Sequence, residues 1–221
     1  PGCSTAVQSV PPPHAALETV PAEAAPKSPP AGERRQVTIL FIDLSGYTRL
    51  SNELDAEEVH ALLQRFFTHV DSVINNYGGT VDKHIGDAVM GVFGAPVAHD
   101  DDPERAVRAA IAVHASMALL STEMSRELTV HIGIASGRVV ASGTGSDSHQ
   151  EYTVTGESVN LASRLQEMAR GGESYISKAV YEATRKLISS RAIGKVTVKG
   201  FDEPITAYQL DGLLTADEGA P

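Results

Sequence analysis

Val37-Thr38-Ile39-Leu40-Phe41-Ile42-Asp43-Leu44-Ser45-Gly46-Tyr47-Thr48 decides how the rest of the chain is read. Its first six residues form a β-branched and aromatic run, of the length expected for a strand buried on both faces. The run stops at an acid, Asp43. A carboxylate at the end of a buried strand is costly unless a cation or several donors meet it. Beyond it, Leu44 to Thr48 can turn the chain into a helix. Gly46 lets backbone approach a ligand closely, and first-turn amides point outward at an anion. One strand end thus offers a metal ligand and a phosphate cradle side by side. The alternative is that Asp43 only caps a helix N-terminus. A second acid arriving at the same place would decide between the two.

The surrounding composition is that of an ordinary globular chain: 42% hydrophobic and 21% charged over 221 residues, enough for one domain and a tail. With no Trp, five Phe and six Tyr, the core must come mainly from Val, Ile, Leu and Ala. A net charge of −10 argues against a nucleic-acid partner, which needs a basic face. A nucleotide ligand remains compatible if metal ions share the positive charge. The single cysteine, Cys3, permits no intrachain disulfide, so a reducing, cytoplasmic setting is expected. No apolar run reaches the ~18 residues of a membrane span, and no membrane contact is expected within this chain. It begins with Pro rather than Met, which reads as a fragment or processed piece with regulatory domains outside it.

Residues 1–35 hold eight of the twelve prolines and read as a disordered Pro/Ala-rich linker. A folded domain is expected over 36–211 and a flexible tail over 212–221. Val59, Leu62, Leu63, Phe66, Phe67, Val70, Ile74 and Tyr77 predict a helix from Ala56 to Tyr77, closed by Gly78-Gly79. TVDKHI and AVMGVF, joined by Gly86-Asp87, predict a hairpin over 80–93. Asp102 and Pro103 fit N-cap and N1 of the next helix, whose dipole the run Asp100-Asp101-Asp102 would serve. Strands are expected at 128–137, at 138–143 after a tight turn, at 151–154 and at 175–177. GTGSDSHQ between them reads as a polar loop. Helices are expected from Glu157 to Arg170 and over 178–187, and KVTVKG and ITAYQL as closing strands. The hairpin and the short connections favour an α+β fold, a mixed or antiparallel sheet with helices against it.

If the hairpin pairs with the opening strand, Asp87 lands beside Asp43, and two carboxylates on neighbouring strands suit Mg²⁺ or Mn²⁺. On VNLASRLQEMAR, Asn160 and Arg164 at i, i+4 share one strip beside a buried stripe of Leu161, Leu165 and Met168. An amide and a guanidinium together suit a sugar oxygen and a phosphoryl group. Lys83, Arg138 and Lys199 add cations at strand or turn positions.

F-I-D-L-S-G-Y-T, K-x-x-G-D, G-I-A-S-G-R-V, T-G-E-S-V-N-L-A-S-R-L and V-K-G, in that order, resemble the class III nucleotidyl cyclase catalytic domain over roughly 36–211. The resemblance implies a ferredoxin-like core and a homodimer with two shared active sites, each holding two Mg²⁺ or Mn²⁺ ions. It implies that Asp43, Asp87 and the Leu44 carbonyl hold metal, and that backbone from Ser45 through Gly46 and Tyr47 to Thr48 cradles the triphosphate. Arg138 matches a phosphate-binding arginine on the metal-bearing protomer. Lys83 and Thr153 match the purine-selecting pair, and Asn160 and Arg164 the transition-state pair, from the other protomer. Lys199 matches a terminal-phosphate lysine. Many adenylyl cyclases carry Asp where this chain has Thr153, but a hydroxyl can still accept from the adenine amino group while Lys83 donates to a ring nitrogen. Guanylyl cyclases would show Glu and Cys at these positions. The expected activity is therefore conversion of ATP to 3′,5′-cyclic AMP and pyrophosphate. The alternatives are a guanylyl cyclase and a silent nucleotide-binding regulatory domain. A diguanylate-forming domain would need a G-G-D/E-E-F turn, which this chain lacks.

Overall fold

The computed structural model describes residues 33–146 and 149–214, so residues 1–32 of the linker expected over 1–35, and the end of the tail, lie outside the described residues, while Glu33 to Arg35 already belong to the first strand. The opening run forms β1 (Glu33–Leu44), which pairs antiparallel with two neighbours at once. Its even residues Leu40, Ile42 and Leu44 enter one hydrophobic cluster, and its odd residues Val37, Ile39 and Phe41 another on the opposite sheet face. Burial on both sides is why the run is continuously apolar. The strand does not stop at Asp43 but continues through it to Leu44.

Gly46, at φ +73°, caps α1 (Tyr47–Glu53), so Asp43 is not the helix cap. In α2 (Ala56–Asn76), Asp55 accepts from the Glu58 amide at 2.8 Å, and the Glu58 carboxylate accepts from the Asp55 amide at 3.1 Å. This reciprocal cap fixes the helix start. Leu62, Phe66, Val70 and Ile74 are its buried residues. The hairpin forms as expected, as β2 (Thr80–Ile85) and β3 (Ala88–Phe93), with a register shift between Val81 and Lys83.

α3 (Asp102–Glu123) is capped one residue earlier than the sequence suggests, at Asp101. Asp102 is buried and accepts from the His99 amide at 3.0 Å, with the His99 ring 3.1 Å away, while Asp101 pairs with Arg105. These acids are occupied by the helix start.

β4 (Val130–Ser146) is one uninterrupted strand, not two strands about a turn at Gly137. Gly137 is in the ladder opposite Val37, and a Cβ there would meet the Ser158 side chain at 3.0 Å. Close packing, not a turn, explains that glycine. β5 (His149–Thr155) pairs with the far end of β4, which absorbs most of the expected polar loop. Then follow α4 (Glu157–Met168), β6 (Ser174–Ser177), α5 (Lys178–Thr184), β7 (Ile188–Val196) and β8 (Ile205–Leu213). The seventh strand thus lies earlier than KVTVKG, which contributes only its first two residues.

The sheet order is β2-β3-β1-β4-β6-β8-β7, antiparallel except where β4 meets β6. Core residues of α1, α2, α3 and α5 pack on one face, and those of α4 on the other. β1 is central, with the hairpin on one side and β4 on the other.

Candidate active site

Asp43 stands across from Ala88 on β3 and from His131 on β4. Ala88 directly follows the Gly86-Asp87 turn, and Gly86 takes φ +65°, which makes the turn tight. Asp87 is therefore delivered beside Asp43. Burial, then the hydrogen bond and charge of Asp43, push the Asp87 carboxyl from 3.8 up to about 7. Two acids that resist ionising together are a donor set that a divalent cation relieves. Among the described residues no cluster of three or more His, Cys, Asp or Glu surrounds a metal position. Two carboxylates, with backbone, water and substrate phosphates for the remaining positions, suit Mg²⁺, which rarely takes an all-protein cage. Leu44 ends β1 opposite Val130 with its side chain buried.

The neighbouring turn is narrower as a cradle than the sequence suggests. Ser45 donates its amide to the Thr129 carbonyl at 2.8 Å, and its hydroxyl is buried without a partner near Gly171. Its polar groups thus face inward. Gly46 is exposed, with open space where a Cβ would stand. Tyr47 and Thr48 open α1, where the amides have no acceptor one turn back. The backbone available to an anion is 46–48.

α4 lies on the sheet with Ser158, Ala162, Leu165 and Gln166 buried. Leu161 and Met168, expected in that stripe, are only half-buried. Asn160 is exposed and Arg164 half-buried, the latter paired with Glu167 at 2.7 Å. Both line a cavity of about 450 Å³ with Glu157, Lys199, Gly200 and Phe201. Lys199 is an exposed turn residue after β7, and the fold brings it to this pair across some 35 residues of sequence. At 100° per residue, Arg164 and Gln166 are about 200° apart on α4. Gln166 touches Asp43, so Arg164 points away from it. One chain therefore carries the Asp43/Asp87 pair and the Asn160/Arg164/Lys199 cavity on opposite sides of one helix.

Lys83 is exposed on β2, 3.0 Å from the Asp82 carboxylate. β2 and β5 approach one another, so the strand that carries Lys83 comes near the strand that carries Thr153. Thr153 stands opposite Ser142, and its side chain lies outside the described residues.

Arg138 does not join Asp43 and Asp87 in its own chain. It pairs with Gln36, seven residues along β4 from His131, which at ~3.3 Å per residue is about 23 Å from Asp43. It lines a surface hollow with Ser136, Glu157 and Ser158 instead.

Two residues beside Asp43 escape the sequence reading. His131 faces it across the ladder with Nε2 3.9 Å from Asp43 Oδ2, and Gln166 donates from Nε2 to the same oxygen at 3.1 Å. His131 was findable as the polar break in V-H-I-G-I, once β1 and β4 are paired. Gln166 was not, because the rest of its buried strip, Ser158, Ala162 and Leu165, carries nothing that marks a site.

The sequence profile of the adenylate and guanylate cyclase catalytic domain matches residues 30–212. Among solved structures, the adenylyl cyclase CyaB from P. aeruginosa is similar at TM-score 0.78 and 35% identity, covering 80% of this chain and 94% of that one. The guanylyl cyclase Cya2 is similar at TM-score 0.79 and 32% identity, covering 84% and 96%. An uncharacterized protein of Mycobacterium tuberculosis is 39% identical over 180 residues, 79% of this chain and 31% of that protein. The chain thus spans about a third of the length of the curated relatives it matches.

Proposed function

The chain belongs to the adenylate and guanylate cyclase catalytic domain family, and from that premise we propose that it converts ATP to 3′,5′-cyclic AMP and pyrophosphate at sites shared between two copies. The observation that carries the shared site is the orientation of α4. Asp43 and Asp87 are on one side, and Asn160, Arg164 and Lys199 on the other, so neither half is complete alone. A head-to-tail pair would bring the cavity of one copy to the acids of the other, twice, as two-fold symmetry requires.

Asp43 and Asp87, with the Leu44 carbonyl, would hold two Mg²⁺ or Mn²⁺ ions. When bound, such ions acidify the ribose 3′-hydroxyl and neutralise the triphosphate. The amides at 46–48 bind phosphate oxygens, and Lys199 of the second copy meets the terminal phosphate. Asn160 orients the ribose so that its 3′-oxygen lies in line with the α-phosphorus. Arg164 leaves Glu167 to donate to the charge growing on the pentavalent centre. The 3′-oxygen bonds to the α-phosphorus as the bond to pyrophosphate breaks, and the hydroxyl proton passes to solvent.

Lys83 and Thr153 favour adenine, since neither is the Glu or Cys that would read guanine. Relatives of both nucleotide specificities are similar to this chain, so the direct test is chemical. Purified protein with Mn²⁺ and either ATP or GTP should release cyclic AMP faster than cyclic GMP. Faster cyclic GMP would overturn the adenine assignment. No cyclic nucleotide from either would overturn the enzyme in favour of a nucleotide-binding regulatory domain.

A further inference from the structure

Resting on that reading, we infer that Gln166 is the positioning residue of the metal half-site, holding the Asp43 carboxylate ready for a cation. Gln166 is only 5% exposed, although its side chain is a polar amide on the sheet-facing strip of α4. A buried amide is costly unless its donors are used. Here Nε2 donates to Asp43 Oδ2 at 3.1 Å. The Gln166 backbone carbonyl, 2.9 Å from His131 Nδ1, accepts from that ring nitrogen. A single helical residue thus grips the acid with its side chain and the imidazole across the ladder with its backbone.

The grip depends on an unusually close approach of helix to sheet. A Cβ at Gly133 would stand 2.0 Å from the Ala162 carbonyl oxygen and 2.4 Å from the Gln166 amide nitrogen. Only glycine lets the α4 backbone rest on β4 here, and that contact carries Gln166 to the end of β1. Asp87 also hydrogen-bonds Asp43, so two side chains share that carboxylate. The neutral amide holds its share without adding charge. It satisfies one lone pair of Oδ2 and fixes the carboxylate plane, leaving the remaining lone pairs for a cation. Gln166 touches Asp43 and His131, not the reacting atoms, so its effect must appear as metal affinity.

The test is equilibrium Mn²⁺ binding to the purified protein without nucleotide, read from the electron paramagnetic resonance signal of free Mn²⁺. Wild type is compared with Asp43→Asn, Gln166→Met and Gln166→Asn. Methionine keeps the length and flexibility of glutamine and removes the donor; asparagine keeps the donor but is one methylene too short. Folding of each is checked by thermal melting. Both Gln166 variants should bind Mn²⁺ about 10-fold more weakly. In turnover, the Mn²⁺ concentration for half-activation should rise by the same factor, while kcat at saturating Mn²⁺ stays within about threefold, a split expected of an affinity effect. If Asp43→Asn weakens Mn²⁺ binding and a folded Gln166 variant binds like wild type, the role of Gln166 is overturned and the cyclase reading stands. A loss of melting temperature and kcat with unchanged Mn²⁺ affinity marks a merely structural residue and overturns it equally. If wild type shows no Mn²⁺ binding that depends on Asp43, both readings fall.

Discussion

Replacing Asp87 with Asn should stabilise the metal-free protein at neutral pH while removing its turnover. The Asp87 carboxyl titrates at about 7 in the folded chain, against 3.8 as its ordinary value. Between those values the folded chain holds a proton at this site that the unfolded chain has released, so the stability Asp87 contributes falls as pH rises from about 4 to about 7. At ~1.36 kcal/mol per unit, the ~3-unit difference is worth at most about 4 kcal/mol. Asp87 is partly exposed, and solvent screening reduces this to roughly 1–2 kcal/mol. For a domain of this size that is about 3–6 °C in melting temperature. Asn fits a tight turn as well as Asp does, so the substitution removes the charge with little change in backbone preference. Thermal melts in EDTA at pH 4 and pH 8 provide the assay. Asp87→Asn should melt about 3–6 °C above wild type at pH 8, and the two should converge at pH 4. If the difference between them does not grow with pH, or if the substitution lowers the transition at pH 8, the carboxylates do not share a site.

Lys83→Glu with Thr153→Cys should cut the ATP rate, by about 10-fold or more if one buried polar group is left unpaired at ~1–3 kcal/mol, and should favour GTP; steady-state rates with both nucleotides check this, and an unchanged ATP preference removes these residues from the purine site. Gly133→Ala should destabilise the fold by ~2 kcal/mol or more, since its Cβ would overlap backbone atoms of α4. Denaturant melts read that loss, and a variant as stable as wild type would show that α4 does not rest on β4 at this point.

Most of the framework was legible because burial on two faces leaves a plain mark. β1 is almost wholly apolar from Val37 to Ile42 because helical layers on both faces press on it, and α2 shows its period because one strip faces the core. The hairpin was legible from Gly86-Asp87, and its pairing with β1 then set Asp87 beside Asp43. Other features depend on partners distant in sequence. Gly137 looks like a turn, but it is a strand residue made small by Ser158. Arg138 looks like a phosphate ligand by motif, yet register sets it seven residues along β4 from the residue facing Asp43. The Ser45 amide looks like part of the cradle until Thr129 is seen to take it. Gln166 hides on a buried strip, and only the pairing of β1 with β4, with α4 laid across them, shows what it touches.

The central claim is that Asp43 and Arg164 serve one active site from opposite chains, and subunit complementation tests it most directly. Asp43→Ala and Arg164→Ala should each be inactive as homodimers. Mixed after dilution from mild denaturant, with exchange verified by differently tagged copies, half the dimers are heterodimers. Each of these has one site with both lesions and one with neither, so activity should return to about a quarter of wild type. If exchange is complete and the mixture stays inactive, the two residues act from the same chain and the shared site is wrong.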